Sequence, residues 1–283
     1  MIITSTSNPR MKEIIQLRKK SRMRTKTGTF LAEGLRMIRE IPADRLVQLY
    51  VTEEFYNKHK EEPIFEADKM LVSPQVFEYI SDTKTPQGIL AVVRQRVFTE
   101  EEILAQCPGS SGQKENRPAH ILILENIQDP GNLGTIFRTA EAAGVTAILM
   151  SRDCADIYNP KTIRSTMGAI FRMPFAYAED LAGVADRLKR RKIRIFAAHL
   201  DGERTYSEED YSQGTAFLIG NEGNGLSPEA AACADILIRI PMEGQAESLN
   251  AAVAAAVLMF EVSRQRRSYS SRCLAPCCKA SAQ

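Results

Sequence analysis

The chain has 283 residues, 44% of them hydrophobic and 25% charged, with a net charge of only +2. These are the values of a soluble globular protein long enough for two domains. No apolar run approaches the roughly 18 residues of a membrane-spanning helix, and the N-terminus lacks the layout of a signal peptide, so a cytoplasmic location is expected. Charge is unevenly spread: residues 1–36 hold nine Lys or Arg against Glu13 and Glu33, a local +7. Such a basic end on a near-neutral chain points to a polyanion partner, most often nucleic acid. Its centre is Arg18, Lys19, Lys20, Arg22 and Arg24. A solvated helix face would carry the same charge.

Asn8-Pro9 opens a helix with Ile14, Ile15 and Leu17 on its apolar side. The basic run that follows reads as turn-rich. Phe30 to Ala32 reads as a short strand, Glu33-Gly34 as a turn and Leu35 to Ile41 as a helix. A strand over Leu46 to Val51 follows, then helices over Glu53 to His59 and Ser73 to Ile80, and a strong strand over Gly88 to Val93. This alternation predicts a small α/β domain over residues 1–98. Between Thr99 and Pro118 the pattern fails in a Pro/Gly/Ser-rich stretch, read as a linker.

A second α/β domain is expected over residues 119–267. Its strands are Ile121 to Leu124, Ala147 to Met150, Ile193 to Ala197, Ala216 to Ile219 and Ile236 to Ile240. Its helices are Thr135 to Ala143, Pro160 to Met167 and Leu181 to Arg190. In the last helix Leu249, Val253, Val257 and Phe260 mark one face at helical spacing, among alanines that permit close packing. Residues 268–283 turn basic and Cys-rich without periodicity and are expected to be a disordered tail. The six cysteines form no paired CxxC motif and there are only three histidines, so no metal site is expected.

Three strand-to-loop transitions stand out. The first, NLGTIFR, opens a helix after an aliphatic strand and places Arg138 about one turn in, at roughly 3.6 residues per turn. The second, FLIGNEGNGLS, carries Gly220, Gly223 and Gly225, a backbone that must bend or approach a ligand closely. The third, IRIPMEGQAESLN, ends at the start of the alanine-rich helix, where free N–H groups can grip a ligand. The glycines do not follow the GxGxxG dinucleotide fingerprint, and they fall after a late strand.

Together NLGTIFR, LIGNEGNGLS and IPMEGQAESLNAAVAAAV resemble the three motifs of the SpoU/TrmH family of RNA ribose 2′-O-methyltransferases, over about residues 119–263. FLAEG, at Phe30 to Gly34, resembles the RNA substrate-binding domain often joined to that family. In the third motif Ala251 follows Ser248-Leu249-Asn250 where Val is usual. The resemblance implies a parallel-sheet domain with a deep trefoil knot, a rare exception to un-knotted topology, beside a small α/β RNA-binding domain. It implies S-adenosylmethionine as cofactor, held by Leu218, Gly220, Ile240, Met242 and Leu249, and a homodimer. It implies methyl transfer to a ribose 2′-hydroxyl, in ribosomal RNA of the large subunit by family association. Arg138 is then the central catalytic residue, with Asn132, Glu222, Ser248 and Asn250 as its polar companions. Taken alone, Arg138 could pair with Glu141, Asn132 and Ser248 could be helix caps, and Glu222 could be a solvated turn residue. Transfer RNA is the second substrate candidate. A catalytically silent RNA-binding or ribosome-assembly factor on the same scaffold is the rival from outside the enzymes.

Overall fold

The strands His120–Leu124 and Thr215–Ile219, each with four apolar residues in a row, are buried at every position, the signature of parallel strands covered on both faces. The computed structural model describes residues 2–96, 98–105 and 117–273. It has two units, one comprising Met1–Val97, Asp129–Arg138 and Ala155–Arg172, the other Phe98–Gln128, Thr139–Cys154 and Met173–Gln283.

The first unit begins with β1 (Ile2–Ile3), α1 (Pro9–Lys19), α2 (Ser21–Thr27), β2 (Thr29–Glu33) and α3 (Leu35–Ile38). It continues with β3 (Leu46–Thr52), α4 (Glu53–His59), β4 (Lys69–Val72), α5 (Pro74–Ile80) and β5 (Ile89–Arg94). The sheet order is β1-β4-β3-β5-β2, with β5 antiparallel to β2 and β3 and the other pairs parallel. Helix α1 starts where Asn8 Oδ1 accepts from Arg10 N at 2.9 Å and Pro9 supplies the first helical φ. Its face of Met11, Ile14 and Leu17 packs with Val76, Phe77 and Ile80 of α5 in one core.

The segment after β1–β5 that completes this unit was expected in the other domain. Tyr158 stacks on Phe30 with ring centroids 4.8 Å apart, and its hydroxyl donates to Arg96 O at 2.8 Å. Burial raises the Tyr158 hydroxyl pKa to about 12. Arg164 pairs with Asp82 at 2.6 Å, and Arg172 with Glu40.

From here the chain runs α6 (Glu100–Ala105), β6 (His120–Leu124), α7 (Pro130–Ala143), β7 (Ala147–Ser151), α8 (Pro160–Thr166) and β8 (Phe175–Ala178), of which α8 and the start of α7 belong to the first unit and the rest to the second. Then come α9 (Leu181–Arg190), β9 (Arg194–Ala198), β10 (Arg204–Thr205), β11 (Thr215–Ile219), α10 (Pro228–Ala232), β12 (Ile236–Arg239) and α11 (Ala251–Cys273). The sheet is parallel throughout, in the order β10-β12-β9-β11-β6-β7-β8. Its edge strand β8 was not expected from the sequence.

Three further differences have plain causes. Residues 100–105, placed in the linker, form α6, because Ile103 and Leu104 are buried in the core of the parallel sheet. The rest of the linker, residues 106–116, lies outside the described residues. Helix α11 runs to Cys273, into the segment expected as a tail, while residues 274–283 lie outside the described residues. Its buried face is Ala251, Ala252, Ala255, Leu258, Met259 and Val262, whereas Val253 and Phe260 are 49% and 44% exposed. The helix is apolar on both sides, and the stripe read from spacing is the outward one. Further along, Arg266 donates to the carbonyls of Pro118, Ala119, Tyr211 and Gln213 at 2.7–3.0 Å, bolting the helix to the chain just before β6 and β11.

Candidate active site

The first motif begins just inside α7. Asp129 caps the helix: its Oδ1 accepts from Asn132 N at 2.8 Å and its Oδ2 takes Lys161 Nζ at 3.0 Å. The ion pair and the backbone donor hold the Asp129 carboxyl below its ordinary pKa. Asn132 is therefore inside the helix and is not its cap. Gly134 is the contact point with α8: a Cβ there would lie 2.5 Å from Ser165 Cβ and 2.6 Å from Thr162 O. One turn further, Arg138 is exposed and makes no hydrogen bond or ion pair among the described residues, Glu141 included.

The second motif follows β11. Asn221 N and O bond reciprocally with Gly225 O and N at 2.9 and 3.0 Å, closing a tight loop over Glu222, Gly223 and Asn224. Asn221 Oδ1 accepts from Gly223 N at 2.8 Å, and its Nδ2 donates to Asn126 O at 2.8 Å. Glu222 Oε2 accepts from Gln128 N at 3.3 Å, so Glu222 ties this loop to the one after β6 and is no free turn residue. A Cβ on Gly220 would sit 2.3 Å from the Gly225 carbonyl carbon. Gly220 is thus required by the loop's own closure, a different reason from the ligand approach read in the sequence. Leu218 is fully buried in the sheet core, which leaves any ligand contact there to its main chain.

The third motif follows β12. Residues 242–249 form no hydrogen bond among the described residues. Ile240, Met242 and Leu249 are half-buried along it, and Ser248 is exposed. Asn250 is the cap of α11: its Oδ1 accepts from Ala252 N at 2.9 Å and Val253 N at 3.3 Å. The helix-cap role considered for Ser248 therefore belongs to Asn250. Half-buried apolar side chains beside unsatisfied main-chain groups are what a small-molecule site needs.

Two residues that carried no expectation from the sequence hold these loops. Glu125 accepts from Ser227 Oγ at 2.6 Å and Ser227 N at 2.8 Å, fixing the exit of the second motif to the end of β6. Asn126 adopts φ +54° with its N–H on Ser151 Oγ at 2.9 Å. An acid directly after a buried strand was the available signal for Glu125.

The basic segment divides. Arg24 is a correction: it is 3% exposed, its guanidinium bonded to Asp156 Oδ2 at 2.6 and 2.9 Å and to Leu17 O at 2.6 Å. It holds α1, α2 and the Ala155–Arg172 segment together and cannot reach RNA. Arg18 is half-committed, donating to the carbonyls of Tyr79 and Ser81. Lys19, Lys20 and Arg22 are exposed. The turn-rich reading of this run is also corrected, since residues 21–27 form α2, closed by Gly28 at φ +62°.

Comparison with known proteins places the chain in a family. Residues 119–260 match the SpoU rRNA Methylase family, and residues 8–91 match the MRM3-like substrate binding domain. The 23S rRNA (guanosine(2553)-2′-O)-methyltransferase RlmP of Bacillus subtilis is 34% identical, over 92% of this chain and 98% of that protein. The AdoMet-bound rRNA methyltransferase from Sinorhizobium meliloti superposes with a TM-score of 0.78 at 30% identity, covering 93% of this chain and 97% of that one. The SpoU methyltransferase AviRb from Streptomyces viridochromogenes gives 0.78 at 26% identity, covering 93% and 99%. The family match over residues 119–260 and the relative 34% identical along nearly its whole length lead to one statement: the chain belongs to the SpoU rRNA methylase family.

Proposed function

We propose that the protein transfers a methyl group from S-adenosylmethionine to a ribose 2′-hydroxyl of large-subunit ribosomal RNA. The observation that carries this is Arg138, an exposed cation in the first motif with no partner among the described residues. A hydroxyl is a weak nucleophile whose proton must leave as its oxygen bonds to carbon. Arginine stays protonated and so is a poor base. Arg138 acts instead as a fixed positive charge, pairing with a substrate phosphate and stabilising the oxygen as it gains negative character. When bound, S-adenosylmethionine supplies an electrophilic methyl group on a positively charged sulfur. Gly220, Ile240, Met242, Leu249 and the main chain at Leu218 would hold it. Asn132 and Glu222 position the reacting groups, and Ser248 and Asn250 hold the third loop.

Ribosomal RNA is favoured over transfer RNA because the RlmP relative, named for 23S rRNA, aligns along nearly its whole length. The cytoplasm is the location that goes with this substrate. Lys19, Lys20 and Arg22 supply RNA affinity. The exposed stripe of Val253 and Phe260 on α11 supports a second copy of the chain as partner. A Phe260→Asp protein that remains as large as wild type by light scattering would count against that dimer. The trefoil knot is part of the same reading, supported by the insertion of β11 between β6 and β9. A crystal structure whose chain after β12 returns without threading would contradict it. Among the described residues no helix is long and apolar enough to cross a membrane, and no group of three or more His, Cys, Asp or Glu could hold a metal.

The test is methyl transfer from labelled S-adenosylmethionine to ribosomal and transfer RNA from cells lacking the gene, followed by mapping of 2′-O-methyl sites. Label in a single nucleotide of 23S rRNA supports the proposal. Label only in transfer RNA would move the substrate, and no label in either would favour the silent factor.

A further inference from the structure

The first unit has a groove of about 470 Å³ at the carboxyl ends of β2, β3 and β4, within the size range of small-ligand sites. It lies where open α/β sheets place ligands. Two glycines shape it. Gly34 and Gly88 have φ of +92° and +93°, and a Cβ on Gly88 would lie 2.6 Å from Thr52 Oγ1 and 3.1 Å from Phe55 Cβ. The strand ends can therefore close onto the aromatic floor only without side chains. Phe55 and His59 lie with ring centroids 4.4 Å apart, tilted by 30°.

The rim is polar in a particular way. Glu54 and Glu78 are exposed carboxylates that line the groove and pair with no cation among the described residues. They accept hydrogen bonds and repel phosphate. Gln87 Oε1 accepts from Leu35 N at 3.1 Å, which fixes the amide and leaves its NH₂ group as donor. Lys58, exposed at the edge, suits a phosphate. The half-buried His59 ring backed by Phe55, acceptor-only carboxylates and an oriented amide donor match a flat base with N–H donors beside a carbonyl acceptor. That is the edge of guanine, and unpaired bases are read in this manner by stacking and edge contacts.

We propose that this groove is a nucleobase-binding site that takes one unpaired guanine of the RNA substrate. The inference rests on the RNA-methyltransferase reading and locates a specificity element of its substrate-binding domain, away from the charge of α1 and α2.

The experiment uses the full chain and two fluorescent probes, an oligouridine with one central guanosine and the all-uridine oligomer of equal length. Wild type should prefer the guanosine oligomer by at least tenfold. The preference should vanish in Gln87→Glu, which keeps the acceptor for Leu35 N and loses the donor, and in the double variant Glu54→Gln/Glu78→Gln. Thermal midpoint and S-adenosylmethionine affinity confirm that the variants are folded. Ultraviolet crosslinks from the guanosine oligomer should fall within residues 52–59 or 84–88. Equal wild-type affinities, a preference that survives in the folded variants, or crosslinks confined to residues 9–27 would each overturn the inference. If those results come from a protein that binds S-adenosylmethionine and methylates ribosomal RNA, the inference fails alone. Wild type that fails to bind S-adenosylmethionine overturns the enzymatic reading itself.

Discussion

Two arginines of the first unit, Arg24 in the basic segment and Arg138 in the first motif, end in opposite situations. Arg24 is buried, its guanidinium consumed by Asp156 and two main-chain carbonyls. Arg138 is exposed and consumed by nothing among the described residues. The pair separates charge that the fold uses from charge that it leaves to solvent or a ligand. Positions whose groups the fold consumes should fail through stability. Positions whose groups it leaves spare should fail through binding or chemistry.

Arg24→Ala gives the largest expected effect. Removing the buried guanidinium strands the Asp156 carboxylate, itself a quarter exposed, and two carbonyls, at a cost of about 3 kcal/mol, the lower end for a buried pair. Urea unfolding should show that loss, and a change below about 1 kcal/mol would move Arg24 back among the surface cations. Gly220→Ala comes next. Its Cβ would overlap the Gly225 carbonyl, and overpacking of this kind costs about 1–3 kcal/mol. S-adenosylmethionine affinity and the thermal midpoint should fall together. Lost affinity at an unchanged midpoint would restore the simpler view that Gly220 only makes room for ligand.

His120 is a consumed group of another kind. It is 1% exposed at the start of β6, and burial, with Arg266 nearby, lowers its pKa to about 3. Its folded pKa lies below the unfolded value of about 6.5, so protons bind the unfolded chain first. The stability tied to neutral His120 is present above pH about 6.5 and is lost as pH falls toward 3, at up to about 1.4 kcal/mol per pH unit. His120→Leu should therefore gain on wild type as the solution is acidified, and parallel stability curves would contradict this. The smallest stability effect belongs to the spare cations. Lys19→Ala/Lys20→Ala/Arg22→Ala should change stability by no more than about 0.5 kcal/mol per site. It should nevertheless weaken RNA binding and flatten its salt dependence, by about 0.7 in slope for each phosphate no longer neutralised on a single strand. Equal affinities at two salt concentrations would leave these residues as a solvated face.

Much of this was legible in the chain. Apolar runs and Asn-Pro or Ser-Pro starts carry local physics, so β6, β7, β9, β11, β12, α1, α5 and α8 lie where the sequence places them. The second and third motifs fall on loops after β11 and β12 as expected, whereas the first lies wholly inside α7, which starts five residues before the expected Thr135. What was illegible depended on distant partners. Nothing near Arg24 announces Asp156, 132 positions away. The helix α2 is built from basic residues that periodicity reads as a turn. The segment Ala155–Arg172 belongs with the first sheet because of Tyr158 against Phe30, a pairing no local pattern encodes. In the site, Asn132 has the residue type of a cap, but Asp129 holds that place, and Glu125 gave no sign of Ser227, 102 positions on.

The most direct measurement is methyl transfer to 23S ribosomal RNA by Arg138→Ala, read beside S-adenosylmethionine affinity and urea stability of the same protein. The account predicts transfer reduced far more than tenfold, with affinity and stability within error of wild type. Transfer within about tenfold of wild type, roughly 1.4 kcal/mol in barrier, would contradict it, because the cation the fold leaves spare in the first motif would then have no part in the chemistry.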